Sequence, residues 1–409
     1  MREHTDEARA RRAATHSGDD GAGLGRALMT LFTVFVFATA GTIHFQTPML
    51  AELGREFAAE PVAVAWVPTL SFGGFLAGSL LLVPLGDRYD KRTIVFLKLA
   101  GLTASMIAMA AAPTLAVLAA ASFLAGVCAS VSQDVIALTA ELAAPGERGA
   151  AIGTLLSGLF VGILFARLAG GFVAAELGWR WMYVISAAML AAAAPPLAAR
   201  MPHAPARTQL AYAALMRSLV RMLRARADLR RASAVQFMLG ICYGGFWATL
   251  APMMTSLHGV GPAAVGLVGI PGAAGVLVAR AAGRWMDRSG VAPVVTTGIL
   301  LVMAAYVVFG LAGLFVAAVA VGAALQDCGL RAAMVANQAL ITGTDPEARS
   351  RSNTVFAVHI WGGNATGAFV ASTAWALAGW PGVVASGLAA SLAALAVQRR
   401  LGARAGRTR

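Results

Sequence analysis

The stretch VPLGDRYDKR, residues Val83–Arg92, decides how the rest of the chain is understood. It places five charged side chains within ten residues, although the 409-residue chain is 58% hydrophobic and only 12% charged. Because a soluble domain carries roughly a quarter of charged residues, this composition indicates a protein with many membrane spans. The charged stretch is therefore expected to be a short loop at the membrane surface.

Apolar runs, separated by Pro, Gly and charged residues, predict an all-α membrane protein with twelve transmembrane helices. Each run is close to the about 20 residues that a helix needs to cross the bilayer. The predicted spans are 27–50, 62–85, 93–112, 114–141, 150–175, 179–199, 231–255, 262–283, 292–311, 313–341, 351–375 and 381–398.

The same pattern divides the chain into five segments. A polar, arginine-rich stretch separates the first six predicted helices from the last six. The expected segments are a disordered cytoplasmic tail (1–26), a first six-helix bundle (27–199), a cytoplasmic linker (200–230), a second six-helix bundle (231–398) and a basic cytoplasmic tail (399–409).

The positions of Lys and Arg predict the orientation in the membrane, because cytoplasmic loops collect these residues. With both termini in the cytoplasm, 27 of the 32 Lys and Arg residues lie on the cytoplasmic side. The net charge of +13 is thus explained by topology and by attraction to anionic lipid, and no nucleic-acid partner is expected. The three cysteines lie in apolar spans without metal-binding spacing, so neither a zinc site nor a structural disulfide is expected.

The two halves of the chain repeat each other. The second predicted helix begins at Pro61 and is followed by Asp87-Arg88. The eighth begins at Pro262 and is followed by Asp287-Arg288. Parallel six-helix repeats with a binding site between them are a transporter architecture.

At these residues the chain resembles the major facilitator superfamily, whose signature runs roughly Gly-x-Leu-x-Asp-Arg-x-Gly-Arg-Arg. The first copy departs from that pattern at Val83 and Asp90, where the family usually has glycine. The resemblance implies a gating loop in each half, formed by Gly86, Asp87, Arg88, Lys91 and Arg92 and by Gly283, Asp287, Arg288 and Gly290.

Two further stretches, IHFQTPML and SQDVIALTAELAAPGERGAAIG, resemble bacterial exporters of the drug/proton antiporter type. This resemblance implies a multi-pass protein of the bacterial inner membrane that exports drugs, nucleosides or sugars and works as a monomer. A departure occurs at Arg167, where that group often carries proline within a glycine-rich signature.

Ionisable residues inside membrane helices are costly and usually serve a cavity or an ion pair. Asp134 is either a proton carrier or a structural residue bonded to a neighbouring helix. Asp327 and Arg331 are spaced i, i+4 with the acid first, which favours an ion pair; this pair either neutralises itself or acts as a switch. His44 is a further proton-coupling candidate because histidine is the side chain whose ordinary pKa lies nearest to neutral pH.

The remaining candidates are polar and aromatic residues of the helices expected to line a central cavity. They are His44, Gln46, Gln133, Arg167, Gln236, Tyr243 and Trp247. Each of them also has a plain alternative role in packing or internal hydrogen bonding. The buried charge of Arg167 suggests an anionic or hydrogen-bonding group on the substrate.

The sequence therefore predicts a proton-coupled exporter of a small organic molecule that works by alternating access. An importing symporter or uniporter stays open as the alternative. The chain has no nucleotide-binding glycine motif and no cluster of catalytic residues, so neither an enzyme nor a cofactor is expected.

Overall fold

The computed structural model describes residues 25–144, 147–204, 212–272, 274–343 and 349–405. Most of the expected tail 1–26, the segment 205–211 of the expected linker and the last residues 406–409 lie outside this range. Within it the protein is nearly all helical, and nine helices are long and apolar enough to cross a membrane. The all-α membrane fold is confirmed, while the twelve-span count and the cytoplasmic termini stay predictions.

The expected first span, 27–50, is not one continuous helix. Helix α1 (Arg26–Gly41) ends in turns, and a 3-10 helix (Thr47–Met49) leads into α2 (Leu50–Glu56). The reason is Pro48, which has no N–H and cannot bond to the carbonyl group of His44. That carbonyl instead accepts from the Thr47 N–H at 3.3 Å. His44 and Gln46 thus lie on irregular backbone between two helices.

The second span is also irregular. It consists of α3 (Pro61–Val64), α4 (Trp66–Ala77), a π-helical turn (Gly78–Leu82) and a 3-10 turn (Val83–Asp87). Pro84 supports the change of helix type because it removes a backbone donor.

The rest of the first half follows the predicted spans closely. Its helices are α5 (Lys91–Ala110), α6 (Leu115–Ala129), α7 (Val131–Leu142), α8 (Arg148–Leu177) and α9 (Trp179–Arg200). Gly74 of α4 and Gly126 of α6 allow these helices to touch, since a Cβ atom on Gly74 would lie 2.1 Å from the Phe123 carbonyl oxygen.

The expected linker contains a helix of its own, α10 (Tyr212–Ala225), and α11 (Ala227–His258) begins four residues before the predicted boundary at 231. Helix α10 packs against α11 through Leu219 and Leu229. The Tyr212 hydroxyl group donates to the Leu81 carbonyl oxygen at 2.9 Å, which connects the linker to the end of the second span.

The eighth span is divided into α12 (Pro262–Leu267), α13 (Gly269–Gly272) and α14 (Ala274–Ser289). It is followed by α15 (Val291–Phe309), α16 (Val316–Gly343) and α17 (Arg349–Ala405). Helix α17 covers both predicted final spans. It is interrupted at Ala378 and Gly379, where Gly379 has a φ of 60° that favours glycine.

Candidate functional site

One face of α8 points toward the second half of the chain. Phe160 contacts Arg331 of α16, Arg167 contacts Tyr243 and Trp247 of α11, and Gly171 lies against α12. Residues 160, 164, 167 and 171 recur every three to four positions, so they form one stripe on the helix. Four of the candidate functional residues meet along this stripe, namely Arg167, Tyr243, Trp247 and Arg331.

Arg167 contacts two of the other predicted cavity residues, Tyr243 and Trp247. Its Nη2 atom donates to the Tyr243 hydroxyl oxygen at 2.5 Å, and its guanidinium carbon lies 3.5 Å from the centre of a Trp247 ring. The side chain is buried, and its Nε atom has no hydrogen-bond partner among the described residues. Over the same described ranges Arg167 forms no ion pair. Its guanidinium group contacts a hydroxyl group and aromatic rings instead of a carboxylate.

Four glycines, spaced three residues apart, make room for these charged groups: Gly266, Gly269, Gly272 and Gly275. A Cβ atom would lie 2.7 Å from the Arg167 carbonyl oxygen at Gly266 and 3.3 Å from the Trp247 ring at Gly272. At Gly275 it would lie 2.5 Å from an Asp327 carboxylate oxygen. Helix segments α12–α14 thus approach the site through backbone rather than side chains.

The predicted ion pair on α16 is confirmed. Arg331 Nη2 lies 3.6 Å from Asp327 Oδ1, and both side chains are largely buried. The guanidinium carbon of Arg331 also lies 4.2 Å from the centre of the Phe160 ring. A separation of 3.6 Å is long for a charge-assisted hydrogen bond, so the pair is loosely held.

His44 is fully enclosed at the break after α1. Its ring centre lies 5.7 Å from that of Phe72 and 6.4 Å from that of Trp361, and neither ring nitrogen has a partner among the described residues. The backbone next to His44 lies against α8, since a Cβ atom on Gly170 would lie 2.7 Å from the Phe45 carbonyl oxygen. The first, second, fifth and eleventh predicted spans therefore converge here.

Other buried polar atoms have no hydrogen-bond partner in the described ranges. Both amide atoms of Gln236 on α11 are in this state, as are those of Asn337 on α16 and the amide oxygen of Gln46. Gln236 lies seven residues before Tyr243, hence on the same face of α11. Buried polar groups are normally satisfied, so these atoms mark places where a ligand or water is able to bind.

Asp134 lies elsewhere, at the junction of α5, α7 and the loop at Gly86. Lys98 Nζ donates to Asp134 Oδ2 at 2.5 Å, and both side chains are buried. The half-buried Gln133 is its neighbour on α7. This arrangement favours the structural alternative for Asp134.

The first gating loop is hydrogen-bonded to the end of α9. Lys91 pairs with Glu141 of α7, and Arg92 donates to the carbonyl oxygens of Ala198 and Met201 at 2.6 and 2.8 Å. Gly86 lies beside Lys91, whereas Arg88 is exposed.

Asp90, one of the two departures from the family pattern, completes this connection. It accepts from the Arg92 and Ala204 backbone N–H groups at 3.0 and 3.1 Å, and His203 Nδ1 lies 2.7 Å from its Oδ2 atom. The hydrogen bond from His203 lowers the pKa of the Asp90 carboxyl group below its ordinary value, aided by the two backbone donors.

The second loop is more open. Arg288 is exposed, and Gly290 has a φ of 82° that turns the chain from α14 into α15, while a Cβ atom on Gly283 would meet nothing within 4 Å. The side chains of Asp87 and Asp287 lie outside the described residues.

Some participants were not singled out from the sequence. Lys98 is the partner of Asp134, Trp361 covers His44, and Asn337 adds unpartnered amide atoms. The glycines that recur every three residues from Gly266 to Gly275 were a usable signal, because residues three apart in a helix lie close to the same face and glycine has no side chain to hold a neighbouring helix away. The Lys98–Asp134 and Trp361–His44 contacts depend on the packing of helices that are distant in sequence.

The described residues form a bundle of apolar helices that encloses buried polar groups, several of them without a hydrogen-bond partner there. This architecture is typical of a membrane transport protein. The chain belongs to the Major Facilitator Superfamily, whose family model matches residues 30–278.

Curated relatives agree with this class along most of the chain. It is 28% identical over 375 residues to "Uncharacterized transporter YgaY" of Escherichia coli O157:H7, which covers 91% of this chain and 95% of that protein. It is 31% identical over 378 residues to "Probable transporter SCO4007" of Streptomyces coelicolor, covering 92% and 87%.

The fold is also similar to a solved structure of a bacterial homolog of the human lysosomal transporter Spinster, in an inward-facing and occupied conformation. The TM-score is 0.74 at 15% identity, and the match covers 93% of this chain and 97% of that one. The protein is therefore a multi-pass membrane transporter for small molecules and not an enzyme.

Proposed function

We propose that this transporter is a proton-coupled exporter of a small organic molecule in the bacterial cell membrane, working as a monomer by alternating access. The observation that carries the proposal is the buried Asp327–Arg331 pair, held at 3.6 Å beside the interface with α8. Removing one partner of a buried pair strands the other charge, so such a pair has two well-separated states. Protonation of Asp327 would release Arg331.

In this proposal residues 27–199 and 231–398 move as two halves around the α8 stripe. The contacts Phe160–Arg331 and Arg167–Tyr243 join the two halves and break when the halves separate. Asp327 takes up a proton from the outside and releases it inside, while cargo moves the other way.

The gating loops are proposed to stabilise the state that is closed to the cytoplasm. The first loop is the better supported, since Lys91, Asp90 and Arg92 fasten it to α7, α9 and the linker. Asp87→Asn is expected to lower the transport rate without loss of folded protein from the membrane. An unchanged rate would remove this role.

Asp134 is proposed to hold α5 and α7 together through Lys98 rather than to carry the proton. His44 remains a proposed contact for cargo or protons, because both its ring nitrogens are buried without a partner among the described residues.

The proposal is tested with inside-out membrane vesicles that hold an acid-inside pH gradient. Nucleosides, sugars, organic acids and lipophilic cations are added one at a time. A proton antiporter collapses the gradient when its cargo enters, whereas vesicles without the protein do not respond. A compound that crosses only in right-side-out vesicles, together with protons, would show import instead.

A further inference from the structure

The proposed proton transfer through Asp327 gives no role to the positive charge of Arg167. It is a fixed positive charge inside the membrane, 5% exposed, and the described residues offer it no carboxylate. A buried charge of this kind is costly unless it is paired. Within the described part of the chain, the contacts that reduce this cost in the present state are those with Tyr243 and Trp247.

Both of these partners belong to α11, across the interface from α8. Separation of the two halves therefore removes them from Arg167 at the same time. The guanidinium group would then face the opened interface with its Nη atoms free, in addition to the Nε atom that already has no partner. A planar guanidinium fork of this kind fits a carboxylate in a bidentate manner.

The surroundings indicate what else the ligand carries. His44 precedes Phe45, whose backbone carbonyl lies against Gly170, about one turn of α8 from Arg167. The His44 ring packs against those of Phe72 and Trp361. The ring centres of Phe75 and Trp361 lie 4.3 Å apart. This aromatic cluster lies beside the part of the first span that packs on α8 near Arg167, and aromatic rings favour an aromatic or flat apolar ligand.

We propose that Arg167 binds the carboxylate of an aromatic organic acid, which replaces Tyr243 and Trp247 when the halves separate. The ring of the acid lies toward Phe72, Phe75 and Trp361. This inference rests on the transport role proposed above, but it requires neither proton coupling nor export.

The experiment measures binding to the purified full-length protein in lipid nanodiscs by titration calorimetry. The probes are benzoate, phenylacetate and 2-naphthoate, each compared with its uncharged amide. At least one acid is expected to bind more tightly than its amide. In Arg167→Gln its affinity falls roughly 10- to 100-fold, as for the loss of a hydrogen-bonded charge, while the affinity of the amide is unchanged.

Two variants keep the result interpretable. Arg167→Lys retains the charge but not the planar fork, so the preference for the acid over its amide falls only in part. If Arg167→Gln does not fold, Arg167→Lys is measured in its place. Arg180→Gln is the matched control, because Arg180 also lies over a tryptophan ring, that of Trp179 at 4.2 Å, but far from this site in an exposed ion pair with Glu56. It is expected to bind as the wild type does.

The inference is overturned if no acid binds better than its amide, if Arg167→Gln keeps the preference, or if Arg180→Gln loses it as well. Collapse of the vesicle gradient by cations or sugars alone would leave the exporter proposal standing while contradicting an acid cargo. Acid binding that depends on Arg167, without any coupled proton movement, would support the acid cargo while contradicting the proton-coupled exporter.

Discussion

Lys98 and Asp134 form a buried ion pair, with 2.5 Å between Nζ and Oδ2. The pair joins α5 to α7, and the same carboxyl group lies beside Gly86 in the first gating loop. The sequence left Asp134 open between a proton carrier and a structural residue, and the Lys98 ion pair favours the structural role.

Asp134→Asn is expected to destabilise the protein by about 3–5 kcal/mol, because it leaves the Lys98 ammonium group buried without its carboxylate. The double variant Lys98→Met with Asp134→Asn is expected to recover part of the loss, because no ammonium group is then left buried. Melting temperatures in detergent measure the effect. The exposed pair Arg180–Glu56 is the control, and its removal should cost under about 1 kcal/mol.

Gly275→Ala is expected to lower transport strongly. Its methyl group would lie 2.6 Å from the Asp327 carbonyl oxygen, which is backbone and moves only with the helix, so α14 must shift away from α16. Gly73→Ala is the matched control, since nothing lies within 4 Å of a Cβ atom there. Equal transport rates for the two variants would show that the close approach at Gly275 is not required.

His44→Phe is expected to leave the melting temperature unchanged or raise it, while transport falls. The new ring still packs against Phe72 and Trp361, and a buried group without partners among the described residues is replaced by an apolar one. Transport assays and thermal melts are compared on the same preparation. A large loss of stability would mean that His44 has a structural hydrogen bond.

The Asp90–His203 contact predicts a pH dependence with a definite sign. Because the pKa of Asp90 is lowered in the folded protein, its contribution to stability is present above the ordinary value of about 4 and is lost as the pH falls through the lowered pKa. The melting temperature difference between wild type and Asp90→Asn should not shrink from about pH 8 to about pH 5. A difference that has already vanished at about pH 5 would contradict this assignment.

Much of the architecture was predictable because it follows from local chemistry. Apolar runs and their Gly, Pro and charged boundaries place most helices within a few residues, and the i, i+4 spacing of Asp327 and Arg331 predicts their pairing. The break at His44 also has a local cause in Pro48. Only its consequence, two unpartnered ring nitrogens next to Trp361, needed the folded chain.

The composition of the site depends on contacts between residues far apart in sequence. Lys98 and Asp134 are 36 residues apart, and Arg167 and Tyr243 are 76 apart. No periodicity within one helix connects such pairs, so the sequence identifies the charges but not their partners.

The assignment of the coupled proton to Asp327 is tested in inside-out vesicles that hold an acid-inside gradient. Wild type and Asp327→Asn are compared for collapse of the gradient on addition of cargo and for exchange of labelled cargo without a gradient. Asp327→Asn is expected to lose gradient collapse but to retain exchange. Gradient collapse at the wild-type rate in Asp327→Asn would contradict it.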